Sequence, residues 1–159
     1  RFIQDFLEIP VAIENVSAYL RMPGSTMEEP TFVSTIATQA DCLLLLDVNN
    51  VYVNSQNFGF DPDTYMDALP LSRVVQIHVA GHRVEEDGLL IDTHGEAIID
   101  PVYALLERTL PKLSRRAPVL LERDANIPPL PVLEKEMARL RQITSSVWPA
   151  IDSPSGEHK

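Results

Sequence analysis

Four apolar runs in the chain stop on a side chain that can bind a metal or move a proton. They are Val11 to Ile13 before Glu14, Leu43 to Leu46 before Asp47, Val74 to Ile77 before His78, and Val119 to Leu121 before Glu122. Short apolar runs bounded by turn-forming residues are the pattern of strands buried in a parallel sheet. The intervening segments carry apolar residues three and four apart, as amphipathic helices do. Arg1 to Leu7 reads as the end of a helix. Glu29-Pro30 opens a second, with Phe32, Val33, Ile36, Ala37 and Ala40 on one face. Asp61-Pro62 and Asp100-Pro101 pair a capping side chain with proline in the first turn and open two more. Pro111 is expected to end the second of these. A last helix is predicted from about Pro131, with Leu133, Met137, Leu140 and Ile143 at helical spacing. Within the insertion Val84 to Gly95, Leu89-Leu90-Ile91 forms a candidate hairpin arm.

The resulting order, β-α-β-α-β-α-β-α, predicts an α/β fold with a parallel sheet. Four such units can make a small open sheet, or half of a (β/α)8 barrel of about 250 residues. An open doubly wound sheet concentrates its ligands at one switch point. Here all four strand ends carry chemistry and the chain starts inside a helix. Both features favour a (βα)4 half of a TIM-type barrel. The catalytic domain is expected over residues 1–147, and residues 148–159 as a disordered tail.

Charge narrows the function. A net charge of −10 opposes a nucleic-acid partner, which needs clustered Lys and Arg. No run is long and apolar enough to span a membrane. No signal peptide is evident, so the expected location is the cytoplasm. One cysteine, Cys42, excludes an internal disulfide framework and is expected to pack in the core.

Polar residues last on parallel strands sit at the carboxyl edge, where such folds build their sites. Glu14, Asp47, His78 and Glu122 are therefore candidate metal ligands. Asn50 follows Asp47 by three residues and joins them. Asn49, Asn54 and Asn57 read as turn caps, since Asn readily bonds local backbone. Asp92 and His94, two apart in an extended loop ahead of Gly95, can face one way as a ligand pair or as an imidazole oriented by its carboxylate. They are also the candidate catalytic pair. His82 is placed behind the ligands, Asp124 lies two past Glu122 and can share its side, and Arg123 is expected to pair with either acid. Nitrogen and oxygen donors without thiolate suit Fe, Mn or Zn, and they are too numerous for one tetrahedral zinc. A site of two or three carboxylate-bridged metals follows.

Five segments appear in order: Ile-Glu-Asn-Val-Ser (13–17), Leu-Leu-Asp-Val-Asn-Asn-Val-Tyr-Val-Asn (45–54), Gln-Ile-His-Val-Ala-Gly-His (76–82), Ile-Asp-Thr-His-Gly (91–95) and Leu-Glu-Arg-Asp-Ala-Asn-Ile-Pro-Pro-Leu (121–130). Across about residues 1–145 they resemble the multinuclear non-haem iron-dependent oxidative enzymes, relatives of the iron oxygenase of methanobactin biosynthesis. The resemblance implies a xylose isomerase-like (β/α)8 barrel, of which this chain is the carboxy-terminal half, strands five to eight. It also implies two or three irons, with dioxygen as co-substrate. The implied reaction is oxidative modification of cysteine, or another residue, in a ribosomally made precursor peptide. A separate protein that presents the peptide is an expected partner. On this pattern Glu14, Asp47, His78, Asp92, His94 and Glu122 would be iron ligands, Asn50 stands where some members place histidine, and His82 and Asp124 would stand behind the ligands. Members are nearly twice as long, so a missing amino-terminal half-barrel, or a second copy, is expected to complete the sheet. Two other readings use the same rim: a divalent-metal isomerase or hydrolase, and a non-catalytic barrel half that binds a partner.

Overall fold

The computed structural model describes residues 1–149. Four parallel strands form the sheet: β1 (Ala12–Glu14), β2 (Leu43–Asp47), β3 (Val74–Val79) and, after a two-stranded hairpin, β6 (Val119–Leu121). They lie side by side in the order β1-β2-β3-β6. Strand order thus follows chain order with no reversal, so no switch point divides the sheet. The hairpin, β4 (Arg83–Val84) with β5 (Leu90–Ile91), occupies the insertion where an arm was expected.

Helices α1 (Phe2–Leu7), α2 (Glu29–Gln39), α4 (Pro62–Ala68), α5 (Asp100–Thr109) and α6 (Leu130–Val147) stand where the apolar spacing puts them. Pro30, Pro62 and Pro101 each sit in a first turn, where proline's missing N–H costs nothing. Pro111 falls in a short 3-10 turn, Leu110–Lys112, that ends α5. Helix α3 (Val48–Phe58) was not expected. It begins directly after β2 with Asp47 as its cap and stops at Gly59, whose φ of 71° suits a glycine terminus. Asn49, Asn54 and Asn57, read from sequence as loop caps, therefore belong to a helix.

Strand alternation sorts the side chains. Leu44, Leu46, Val74, Ile77 and Val79 point to one face and join Val51, Met66, Val102, Leu105, Leu106 and Leu140 of the helices in a single buried cluster. Burial of each such Leu or Ile contributes about 1.5–3 kcal/mol. The other face is open: Leu43 and Leu45 are half-buried and Leu120 is 45% exposed. At the carboxyl end of this open face stand Glu14, Asp47, His78 and Glu122.

Register is responsible for that grouping. Asp47 pairs with His78, and Glu14 with Leu45, two before Asp47. His78 pairs with Leu120, so Glu122 lies two residues further along the same face. The β2–β3 ladder shifts between Leu44 and Leu45: Leu44 faces Val74, but Leu45 faces Gln76. Val75 is the extra residue of this bulge. Residues 150–159, most of the expected tail, lie outside the described residues. Trp148 packs against the core, and Arg116 donates to the Pro149 carbonyl.

Candidate metal centre

Two groups of donors form at the carboxyl edge. In the first, ligand atoms of Glu14, Asp47, His78 and Glu122 all lie within 4.8 Å of one another. In the second, His94 and Asp124 do the same around Glu122, which both groups share. His78 Nδ1 stands 2.8 Å from Glu122 Oε2 and 3.5 Å from Glu14 Oε1. His94 Nδ1 is 3.4 Å from Glu122 Oε2 and 3.3 Å from Asp124 Oδ2, while its Nε2 is 2.7 Å from Asp92 Oδ1.

These short separations lie off ordinary hydrogen-bond geometry. Among the described residues, Asp47 Oδ2, Asn50 Oδ1, His78 Nδ1, His94 Nε2 and Glu122 Oε2 are buried without a hydrogen-bond partner. An unsatisfied buried polar atom costs about 1–3 kcal/mol, and several in one place call for a common explanation. Imidazole nitrogens and carboxylate oxygens this close, set off the usual hydrogen-bond directions, are arranged as ligands of a shared cation would be. The residues present fit a metal of the kind the donor set implies.

Local structure explains the aim of each side chain. Asp47 does two jobs: Oδ1 caps α3 by accepting from Asn50 N at 2.7 Å, leaving Oδ2 for the cluster. Asn15, fully buried, extends the β1–β2 ladder by one step with its side chain. Its amide donates to Asp47 O at 2.8 Å and accepts from Asp47 N at 3.0 Å. Asn50 Nδ2 then donates to Asn15 O at 3.1 Å. Gln76 lies 2.9 Å from His78 Nε2, so Nδ1 is the nitrogen offered to the cluster.

Asp92 receives Asn49 Nδ2 at 2.7 Å, and Asn49 Oδ1 meets His82 Nδ1 at the same distance. His82 thus stands behind Asp92, buried, its ring tilted against Tyr52 at 5.4 Å. The left-handed residue in this loop is His94 (φ 47°), whereas the sequence points to Gly95 for the sharp turn. Non-glycine residues in that conformation store strain, and they concentrate at functional sites. Arg123 does not pair with its neighbours; it turns back to Glu136 of α6 at 2.8 Å.

The electrostatics follow from five carboxylates around two imidazoles. Burial, with Asp92 and Glu14 nearby, pushes Asp47 up to about 8 from its ordinary 3.8. Burial also raises Glu14, against the pull of His78. Contact with Asp92 holds the His94 imidazolium up to about 9. His82 moves the other way, lowered by burial, and stays neutral as a hydrogen-bonding support. The negative excess is what a divalent cation would neutralise.

A groove of about 760 Å³ adjoins the rim at Glu14. Val16, Leu20, Met22, Met27, Phe32 and Phe58 line it, and five of these (all but Phe58) are large apolar side chains 46–68% exposed. Exposed apolar patches of this kind are characteristic of surfaces that meet another molecule or another part of a protein. Its outer wall is the loop after β1, held by Asn54, which accepts from Ala18 N at 2.7 Å and donates to Val16 O at 2.9 Å.

A family model described as RiPP precursor modification enzyme MbnB/TglH/ChrH matches residues 1–145. The chain belongs to this family. Its relatives include a UPF0276 protein of Pseudomonas aeruginosa, 50% identical over 143 residues, which are 90% of this chain and 50% of that protein. A UPF0276 protein of Nitrosospira multiformis is 49% identical over 143 residues, with the same coverage of each. One from Neisseria meningitidis serogroup B is 46% identical over 141 residues, 88% of this chain and 50% of that protein. The chain therefore spans about half the length of the curated relatives it matches. RiPP precursors are ribosomally made peptides, so the family acts on peptides. No helix among the described residues is long and apolar enough to cross a membrane.

The first group contains four of the residues singled out from sequence. His94 and Glu122 fall in the second group with Asp124, which sequence had placed behind the ligands. Asp92 is against His94 rather than inside either group, and Asn50 contributes only an unpartnered carbonyl oxygen. Asn15 and Asn49 were missed as site residues. The signal that could have found them is placement beside a strand-end acid: Asn15 directly follows Glu14, and Asn49 follows Asp47 by two.

Proposed function

We propose that the chain supplies one side of a multinuclear non-haem iron centre for oxidative modification of cysteine, or another residue, in a precursor peptide, with dioxygen as co-substrate. Family membership supports the peptide. The observation that carries the metal reading is the pair of donor groups sharing Glu122, with buried atoms that face one another without hydrogen bonds. In this reading Glu14, Asp47, His78 and Glu122 hold one ion; His94, Glu122 and Asp124 hold a second, with Asp92 beside it. Asn50 Oδ1 is a further donor to the first. Bound iron would supply electron transfer and dioxygen chemistry.

The remaining residues of the chain orient and exclude. Asp92 fixes the His94 ring, Asn49 and His82 fix Asp92, and Gln76 fixes His78. The apolar groove beside Glu14 suits an extended peptide, whose side chains displace water from its walls while the reacting residue reaches the rim. An uninterrupted strand order and an open inner face favour half of a (β/α)8 barrel. Among the described residues, strands β1 and β6 each have a free edge, which a further half-barrel, or a second copy, would pair.

The test is iron content and dioxygen uptake of the purified protein with a cysteine-bearing precursor peptide. Glu122→Gln is expected to lose two iron equivalents and His78→Ala one, with oxidation abolished in both. Iron-free protein, or full activity of His78→Ala, would remove the proposal. Oxygen-independent turnover with zinc or manganese would favour an isomerase or hydrolase instead.

A further inference from the structure

The two donor groups are supported differently. Glu14, Asp47 and His78 sit at strand ends, held by the sheet ladder. His94 and Asp124 sit on irregular segments after β5 and β6, where no ladder fixes the backbone. These segments are cross-tied once, Asp124 N donating to His94 O at 3.0 Å. His94 also holds a left-handed conformation that surrounding structure must maintain.

Glu136 provides a common anchor. It is buried (8% exposed) on α6, behind both segments. Its Oε1 accepts from Ile98 N at 2.9 Å, four residues after His94. Its Oε2 accepts from Arg123 Nη2 at 2.8 Å, between Glu122 and Asp124 in the chain. The side chains of Arg123 and Glu136 are 8% and 10% exposed. One carboxylate therefore pins the backbone of one ligand segment and the side chain of the other.

A buried ion pair is a poor device for stability alone, because desolvation offsets much of its attraction and apolar replacements often serve as well. Two-point geometry is what it adds here. We infer that Glu136, acting through Arg123 and Ile98, is the positioning residue that assembles the second metal position, His94–Glu122–Asp124, and leaves the first largely untouched. This rests on the two-metal reading above. The consequence is selective: disturbing α6 at this point removes one metal, not the whole centre.

The test uses Mn(II) as probe in the purified protein, by titration calorimetry and electron paramagnetic resonance. Wild type is expected to show an exchange-coupled Mn(II) pair bridged through Glu122. Arg123→Met/Glu136→Met replaces the pair with apolar side chains of similar length, so that no charge is left buried alone. It is expected to fold with a cooperative transition, bind one Mn(II) equivalent fewer and give an isolated six-line signal. Glu136→Gln keeps an acceptor for Ile98 N; it should retain the second equivalent with its Kd raised about tenfold or less. A folded double variant with the full complement and the coupled spectrum would overturn the inference and leave the two-metal reading intact. Wild type without a coupled pair would overturn both.

Discussion

Asp47 offers the sharpest separation between what the fold needs and what the metal needs. In the metal-free protein its buried carboxylate is held up to about 8, against 3.8 when exposed. The unfolded chain releases this proton from about pH 4 upward while the folded chain keeps it. Each pH unit between those limits then costs the folded state about 1.4 kcal/mol. The destabilisation grows from pH 4 to 8 and levels off above. Asp47→Asn removes the titration but keeps the cap on α3, because asparagine caps as well as aspartate. Chelator-treated wild type and variant should therefore diverge by about 1.4 kcal/mol per unit from pH 4.5 to 6. His94 is raised toward 9 and so does not titrate in that window. Urea unfolding at four pH values would measure the divergence. With Mn(II) present the order should reverse, the variant losing the stabilisation that metal binding brings to wild type. A pH-independent difference, or a metal-free variant less stable than wild type at pH 6, would refute the reasoning.

Other outcomes follow from the same geometry. Asn49→Ala strips hydrogen-bond partners from Asp92 and His82; urea titration should show a loss of about 1–3 kcal/mol, and metal titration a weaker second site. Gly81→Ala would drive a Cβ into the Glu96 carbonyl oxygen. Backbone must move to relieve that contact, so the variant should lose about 1–3 kcal/mol or more in thermal unfolding. Phe32→Glu, at the groove, should weaken precursor-peptide binding at least tenfold in fluorescence anisotropy while metal content stays at the wild-type level.

Much of this arrangement was legible because parallel strands advertise themselves as apolar runs and their last residue has a known destination. Glu14 and Asp47 close their strands in this way, while His78 stands one residue before the end of β3 and Glu122 one residue beyond β6. Helix α3 was hidden because its asparagines favour turns, and its start is set by Asp47 capping across the strand boundary rather than by an apolar stripe. Asn15 and Asn49 were obscured for a related reason: amides bond whatever is near, and only the fold shows that the near groups are Asp47 and Asp92. Arg123 was misplaced because adjacency in sequence suggested Glu122 or Asp124. Consecutive residues of extended chain point to opposite sides, so Arg123 turns away from Glu122 and Asp124 and toward the buried acid of α6. The division of donors into two groups depends on loop conformation, including the left-handed His94, for which no local residue pattern gives warning.

The bulge at Val75 has a consequence for how such a site can arise or be lost. Side chains alternate along a strand, so one unpaired residue inverts everything downstream of it. Up to Val74, β3 keeps one phase with β2; beyond Val75 it keeps the other, and this second phase sends Ile77 to the helices and His78 to the rim. Removing Val75 itself would restore unbroken alternation and leave Leu45 facing Gln76, Leu46 facing Ile77 and Asp47 facing His78. The strand therefore carries one residue of slack ahead of the site, and a single loss there is absorbed by the bulge. A second loss between Val74 and Ile77 has no bulge left to absorb it and would exchange the two faces, burying an imidazole in the apolar layer and presenting isoleucine to the donors.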